Sequence, residues 1–181
     1  ESFINCMSDA MISGAYVTAF VTSAGRVSPV FEKKARETLE DRGITDPDPE
    51  SWYDNVQFGE ALREIVEKAG EKTVEEAGKE MVNITDPILE QDSVPAGLEV
   101  LTSQHAEIHK NHTTEKAGVL TYEEESGSRY RVSAVGGYEY PASLVKGAAA
   151  ETVRQTGGPT NVSVDDVETR PDETFAFEVS W

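Results

Sequence analysis

The last eight residues, Thr174-Phe175-Ala176-Phe177-Glu178-Val179-Ser180-Trp181, alternate bulky apolar side chains with small or polar ones. This is the clearest period of two in the chain, and it sets Phe175, Phe177, Val179 and Trp181 on one face of a half-buried strand. Arg170-Pro171-Asp172-Glu173 supplies a turn before that strand. Val162, Val164 and Val167 mark another, with a bulge or bend near Asp165-Asp166. Pro141 to Thr156 reads as a helix stopped by Gly157-Gly158-Pro159, and its small run Gly147-Ala148-Ala149-Ala150 permits close approach to a sheet. Two more strands, Val119 to Tyr122 and Arg129 to Val135, flank the turn-prone Ser126-Gly127-Ser128. From residue 115 onward the order is therefore β-β-α-β-β.

Ahead of this lobe the period is helical, beginning after Arg26. Ser28 before Pro29 is a helix start, and Phe31, Ala35, Thr38 and Leu39 then fall at i, i+4, i+7 and i+8 on one stripe. Asp46-Pro47-Asp48-Pro49 breaks the pattern. Trp52 and Tyr53 stand at the next helix entrance. Phe58, Leu62, Ile65 and Ala69 repeat the stripe before Gly70, and Val74, Ala77, Gly78 and Met81 suggest another helix. Asp86-Pro87 marks a loop, and Pro95 opens a helix expected to reach about His112. The expected fold class is α+β: one domain over 1–181, with a helical part at 1–114 and an antiparallel sheet-plus-helix lobe at 115–181. A doubly wound nucleotide fold would alternate strands and helices throughout and carry a glycine-rich phosphate loop, and neither pattern occurs.

The 181 residues carry 34 acidic against 16 basic side chains, a net charge of −18. Such a surface repels phosphate and anionic lipid, which excludes nucleic acid and membrane surfaces as expected partners. Molar salt would screen the mutual repulsion, because the Debye length falls to about 3 Å, so a halophilic cytoplasm is the expected setting. A single cysteine, Cys6, excludes an intrachain disulfide framework and a thiolate zinc site. The most apolar stretch, Ala10 to Val21, is too short to cross a bilayer, and Glu1 to Asp9 lacks the basic residues of a signal peptide. A cytoplasmic protein is expected.

All three histidines lie in Gln104-His105-Ala106-Glu107-Ile108-His109-Lys110-Asn111-His112. On a continuous helix His105, His109 and His112 share one face, bordering Leu101 and Ile108, so they extend the core-facing stripe. Neutral imidazoles at that spacing can ligate a divalent transition metal, or one can serve as an axial haem ligand. Packing at a core edge is the commoner use of such residues. The H-E-x-x-H pattern is absent, no G-x-S-x-G elbow occurs, and Glu123-Glu124-Glu125 reads as a solvated face. Trp52, Tyr53, Tyr138 and Tyr140 could line a pocket, each offering a large ring with a polar handle.

Ser51-Trp52-Tyr53 before a helix, Gly137-Tyr138-Glu139-Tyr140-Pro141 leading into a later one, and the final Phe175-to-Trp181 strand together resemble the superfamily of haem nitric-oxide-binding and 4-vinyl-reductase-like ligand-binding domains. The resemblance implies a helical part beside a small antiparallel sheet with a packed helix, and a cavity between them. Members act as small-molecule or gas sensors or as accessory proteins, commonly without catalysis. The Y-x-S-x-R motif that holds haem propionates is absent, Ser128-Arg129-Tyr130-Arg131 keeping similar residues in another order. The metal-binding cysteines of the last strands are absent too. Two functions follow. One is a non-catalytic sensory or regulatory domain binding a small molecule through His105, His109, Trp52, Tyr53, Tyr138 and Tyr140, with a second copy or a signalling protein as partner. The other is a metal-dependent enzyme using His105, His109 and His112.

Overall fold

Two serines organise the start of the chain. Ser13 closes β1 (Met11–Ser13), and its hydroxyl accepts the Ala15 amide to cap α1 (Gly14–Val27). Ser28 caps α2 (Pro29–Asp41) through the Phe31 amide, with Pro29 in the first turn, where a missing N–H is of no consequence. The computed structural model describes residues 9–181; Cys6 and the rest of the segment read for a signal peptide, up to Ser8, lie outside that range. Helix therefore begins earlier than the sequence period suggested. In α1 the buried Val17, Phe20, Val21 and Ala24 spread over a helix packed by both α2 and the later α4, so no polar stripe announces it.

The predicted stripe of α2 is buried as expected: Phe31, Ala35, Thr38 and Leu39. Trp52 and Tyr53 belong to β2 (Trp52–Asp54), whose last residue caps α3 (Asn55–Ala69) through a 2.9 Å hydrogen bond from the Gln57 amide. Gly70, at φ 92°, turns the chain into α4 (Glu71–Asn83). Asp86-Pro87, expected as a loop, forms the single-turn α5 (Asp86–Leu89), since proline suits a first turn. Ser93 caps α6 (Val94–Glu107).

The expected helix to His112 stops five residues early. After Glu107 the chain enters β3 (His109–Lys110), which pairs with β1 so that Ile12 faces His109, while the Ser13 amide donates to the Ile108 carbonyl at 2.8 Å. β1 thus becomes the centre of a small antiparallel sheet ordered β2-β1-β3. Pairing with a strand nearly a hundred residues away outcompetes a local period.

The lobe follows the sequence order: β4 (Val119–Ser126), β5 (Arg129–Val135), α7 (Ala142–Gly157), β6 (Ser163–Asp166) and β7 (Glu173–Ser180), in an antiparallel sheet ordered β4-β5-β7-β6. The fold class is α+β. On β7, Phe177 and Val179 are buried opposite Val132 and Tyr130 of β5, as the alternation requires. The other face of β5 is covered too, because Arg131 forms a 2.5 Å ion pair with Glu173 and donates to the Glu168 carbonyl. Among the described residues no helix is long and apolar enough to cross a membrane.

The small run of α7 approaches a helix rather than a sheet. Gly147 lies against the Glu75 carbonyl and Gly78 against the Leu144 carbonyl, so α4 and α7 cross backbone to backbone. A methyl group at either glycine meets a main-chain oxygen that cannot swing away. We expect Gly147→Ala to destabilise the fold by ~1–3 kcal/mol in urea titrations, the usual cost of overpacking. Gly127→Ala, which meets nothing within 4 Å, should change it by about 0.5 kcal/mol or less.

Candidate functional site: an apolar cavity beside His105

The site begins with a turn. Between Thr113 and Gly118 the chain folds against Gly136 and Gly137: the Gly137 amide donates to the Thr114 carbonyl at 2.8 Å, and a side chain at Gly137 would collide with the Glu115 carbonyl. Gly118, at φ 71°, turns the chain into β4. This clamp aims two carbonyls at the histidines. His105 Nε2 lies 2.7 Å from the Ala117 oxygen, and His112 Nε2 lies 2.7 Å from the Gly118 oxygen. A carbonyl only accepts, so each Nε2 carries its proton and, in a neutral ring, Nδ1 keeps the lone pair.

His109 is tied at both nitrogens. Nδ1 donates to the His105 carbonyl at 2.5 Å, and Nε2 lies 2.8 Å from the Tyr140 hydroxyl and 3.0 Å from the Asn55 amide oxygen position. With Nδ1 protonated in a neutral ring, Nε2 must accept, and Tyr140 is its donor. The Tyr140 oxygen is then 2.7 Å from Asn55, and neutrality of His109 requires the NH₂ group of Asn55 to face it. Asn55, His109 and Tyr140 are all buried, which makes this knot a structural joint between α3, β3 and the segment leading into α7.

The three rings are gathered, with centroids 4.5 Å apart for His105 and His109 and 5.9 Å for His105 and His112. They do not share one helix face. The helix that would have aligned them ends at Glu107, and His109 has no lone pair left to give. Among the described residues no group of three or more His, Cys, Asp or Glu side chains is placed to hold a metal ion.

Behind His105 lies a cavity of about 100 Å³, lined by Tyr16, Thr85, Gln104, His105, Leu120, Tyr138 and apolar side chains of α4, α5, α6 and α7. None of its lining residues is Lys, Arg, Asp or Glu. Tyr138 packs on the His105 ring at 4.7 Å between centroids. His105 and Leu120 also line a second cleft of about 240 Å³ with Glu99, Ser103 and His112, so these two side chains partition the cavity from the outer cleft. Of the residues singled out from sequence, His105 and Tyr138 line the cavity. His109 and Tyr140 hold the neighbouring knot. Trp52 and Tyr53 sit on β2, where Lys110 lies 4.3 Å over the Trp52 ring and the Tyr53 hydroxyl accepts the Asp48 amide. Tyr16 was missed, since α1 was missed.

This arrangement, helices enclosing a cavity against one end of a four-stranded antiparallel sheet, is the H-NOX fold. A T. Tengcongensis H-NOX mutant matches with a TM-score of 0.66 at 13% identity, over 93% of this chain and 97% of that one. A structure concerned with haem redox potential and porphyrin distortion matches at 0.66 and 12% identity, over 94% and 100%. An oxygen-binding H-NOX domain related to soluble guanylate cyclases matches at 0.65 and 13%, over 93% and 94%. No family profile matches the sequence, and no curated protein does. The chain is H-NOX-like in fold.

Haem does not fit the site as it stands. The cavity is below the roughly 300 Å³ at which pockets for drug-sized ligands begin. No cation lines the cavity to pair with propionates. Of the two arginines in the displaced Ser-Arg-Tyr-Arg stretch, Arg131 is spent on Glu173 and Arg129 lies 3.8 Å from Glu178. Haemin titration should accordingly give no stoichiometric Soret band, and appearance of one would show that the cavity opens.

Burial pushes the His105 pKa down to about 3, reinforced by the neighbouring His109, and burial lowers His109 as well. In the unfolded chain both rings take up a proton near pH 6.5, whereas the folded rings stay neutral. The contribution of His105 to stability is therefore complete above pH 6.5 and is lost as pH falls toward 3, and that of His109 falls in the same direction. A titration of unfolding free energy should slope by about 1 kcal/mol per pH unit more in the wild type than in His105→Gln over this window. Equal slopes would show that His105 is not held neutral.

Proposed function

We propose that this chain is a non-catalytic receptor domain that binds a small molecule in the His105 cavity and reports its occupancy to another protein. The observation that carries the reading is the lining itself. Side chains from α1, α4, α5, α6, β4 and α7, together with Tyr138, meet around one hollow, so a guest touches both the helical part and the sheet lobe. An occupant that prefers one relative placement of these elements shifts the protein toward it by its differential affinity. The neighbours of like fold include an oxygen-binding domain, which agrees with a sensor of small molecules. His105 and Tyr138 are the residues assigned to ligand contact. The signal passes to a second copy or to a signalling partner, and the acidic surface suits a cytoplasm of high salt.

The test is entry of a probe. An apolar cavity of about 150 Å³ takes up benzene or xenon, so xenon is a suitable probe for this smaller one. Under xenon pressure, methyl resonances of Ile108, Leu120 and Val145 should shift saturably, and Ala148→Leu, which fills the hollow, should abolish the effect. Shifts absent at these methyls, or unchanged in the filled variant, would contradict the receptor reading.

A further inference from the structure

Tyrosine hydroxyls that are buried normally find a hydrogen-bond partner, because the phenol loses water when its ring is packed. The Tyr140 hydroxyl obeys this rule through His109 and Asn55. Two others do not. Tyr138, only 8% exposed, and the half-buried Tyr16 both line the cavity, and neither hydroxyl has a hydrogen-bond partner among the described residues. Burial raises the pKa of each, so both remain phenols with a proton to donate. The wall also carries Gln104, Thr85, whose hydroxyl donates to the Met81 carbonyl, and His105, whose Nε2–H is used by Ala117 and whose Nδ1 lone pair is left as an acceptor.

We infer that the cavity binds a neutral molecule of about six non-hydrogen atoms or fewer, with an apolar body and one hydroxyl-like end that accepts from Tyr138 and donates to His105 Nδ1. The inference rests on the receptor reading above and names the class of ligand. Size sets the first limit, because about 100 Å³ is tighter than the cavity of about 150 Å³ that holds benzene. Charge sets the second. No lining residue carries a charge, so an ionised guest would be buried without a counter-ion, and the net −18 of the chain further opposes an anion. The unpartnered hydroxyls set the third, since a wholly apolar guest would cover donors and an acceptor without offering them a hydrogen bond.

Cyclopentanol and methylcyclopentane test this, being alike in shape and in number of heavy atoms and differing in the hydroxyl. Titrations followed by NMR should show cyclopentanol bound about tenfold more tightly by the wild type. In Tyr138→Phe, which keeps the ring, the two should bind alike, and xenon uptake should confirm that the hollow survives the change. Equal binding of the pair by the wild type, or a preference that Tyr138→Phe leaves intact, would overturn the inferred ligand class while leaving the receptor reading in place. Failure of both to bind where xenon enters would do the same. Failure of all three would overturn both.

Discussion

The hydrogen bond from His105 Nε2 to the Ala117 carbonyl, 2.7 Å long and buried, is the constraint on which the site depends. It fixes three things together. The end of α6 is held to the turn before β4, the tautomer of His105 is chosen, and the ring is kept as a wall between the inner cavity and the outer cleft. Breaking it would leave a buried acceptor and a buried donor, a cost of about 1–3 kcal/mol for the abandoned group. The turn itself is stiffened by Gly118 and Gly137, where the backbone comes too close to its neighbours for a side chain. The histidine is thus seated by glycines that lie outside its own helix.

This seat also explains why a fold shared with haem-binding domains does not bring a haem pocket with it. Space and a cation for the propionates are separate requirements, and each is missing for its own reason. Tyr138 and Leu144 fill the wall, and Glu173 takes Arg131. The scaffold is hollow at a junction of helices and sheet.

The strands of the four-stranded sheet and most helices were legible because their signals are local. Ser28-Pro29, the α2 stripe, the α3 stripe ending before Gly70 and the alternation of β7 depend on neighbours a few residues apart. The failures share one physical origin. β1, β2 and β3 exist only because β1 pairs with both of the others across long stretches of chain, and α1 is hidden because packing on several sides removes its polar stripe. The helix expected to His112 failed where pairing overrode the local period. At the site, the histidine cluster and Tyr138 were visible as residues, whereas Tyr16 and the hollow were not, since a void is made by non-neighbours. The hydroxyls without partners could be recognised only once the surroundings of each ring were known.

The central claim is that His105 is a neutral imidazole with its proton on Nε2, closing a small cavity rather than presenting a ligand atom to a metal or an iron porphyrin. The most direct measurement is the nitrogen-15 spectrum of the His105 ring as a function of pH. The account predicts the Nε2–H tautomer, unchanged from pH 7 down to pH 5. A ring that carries its proton on Nδ1, or that titrates near pH 6.5, would contradict it.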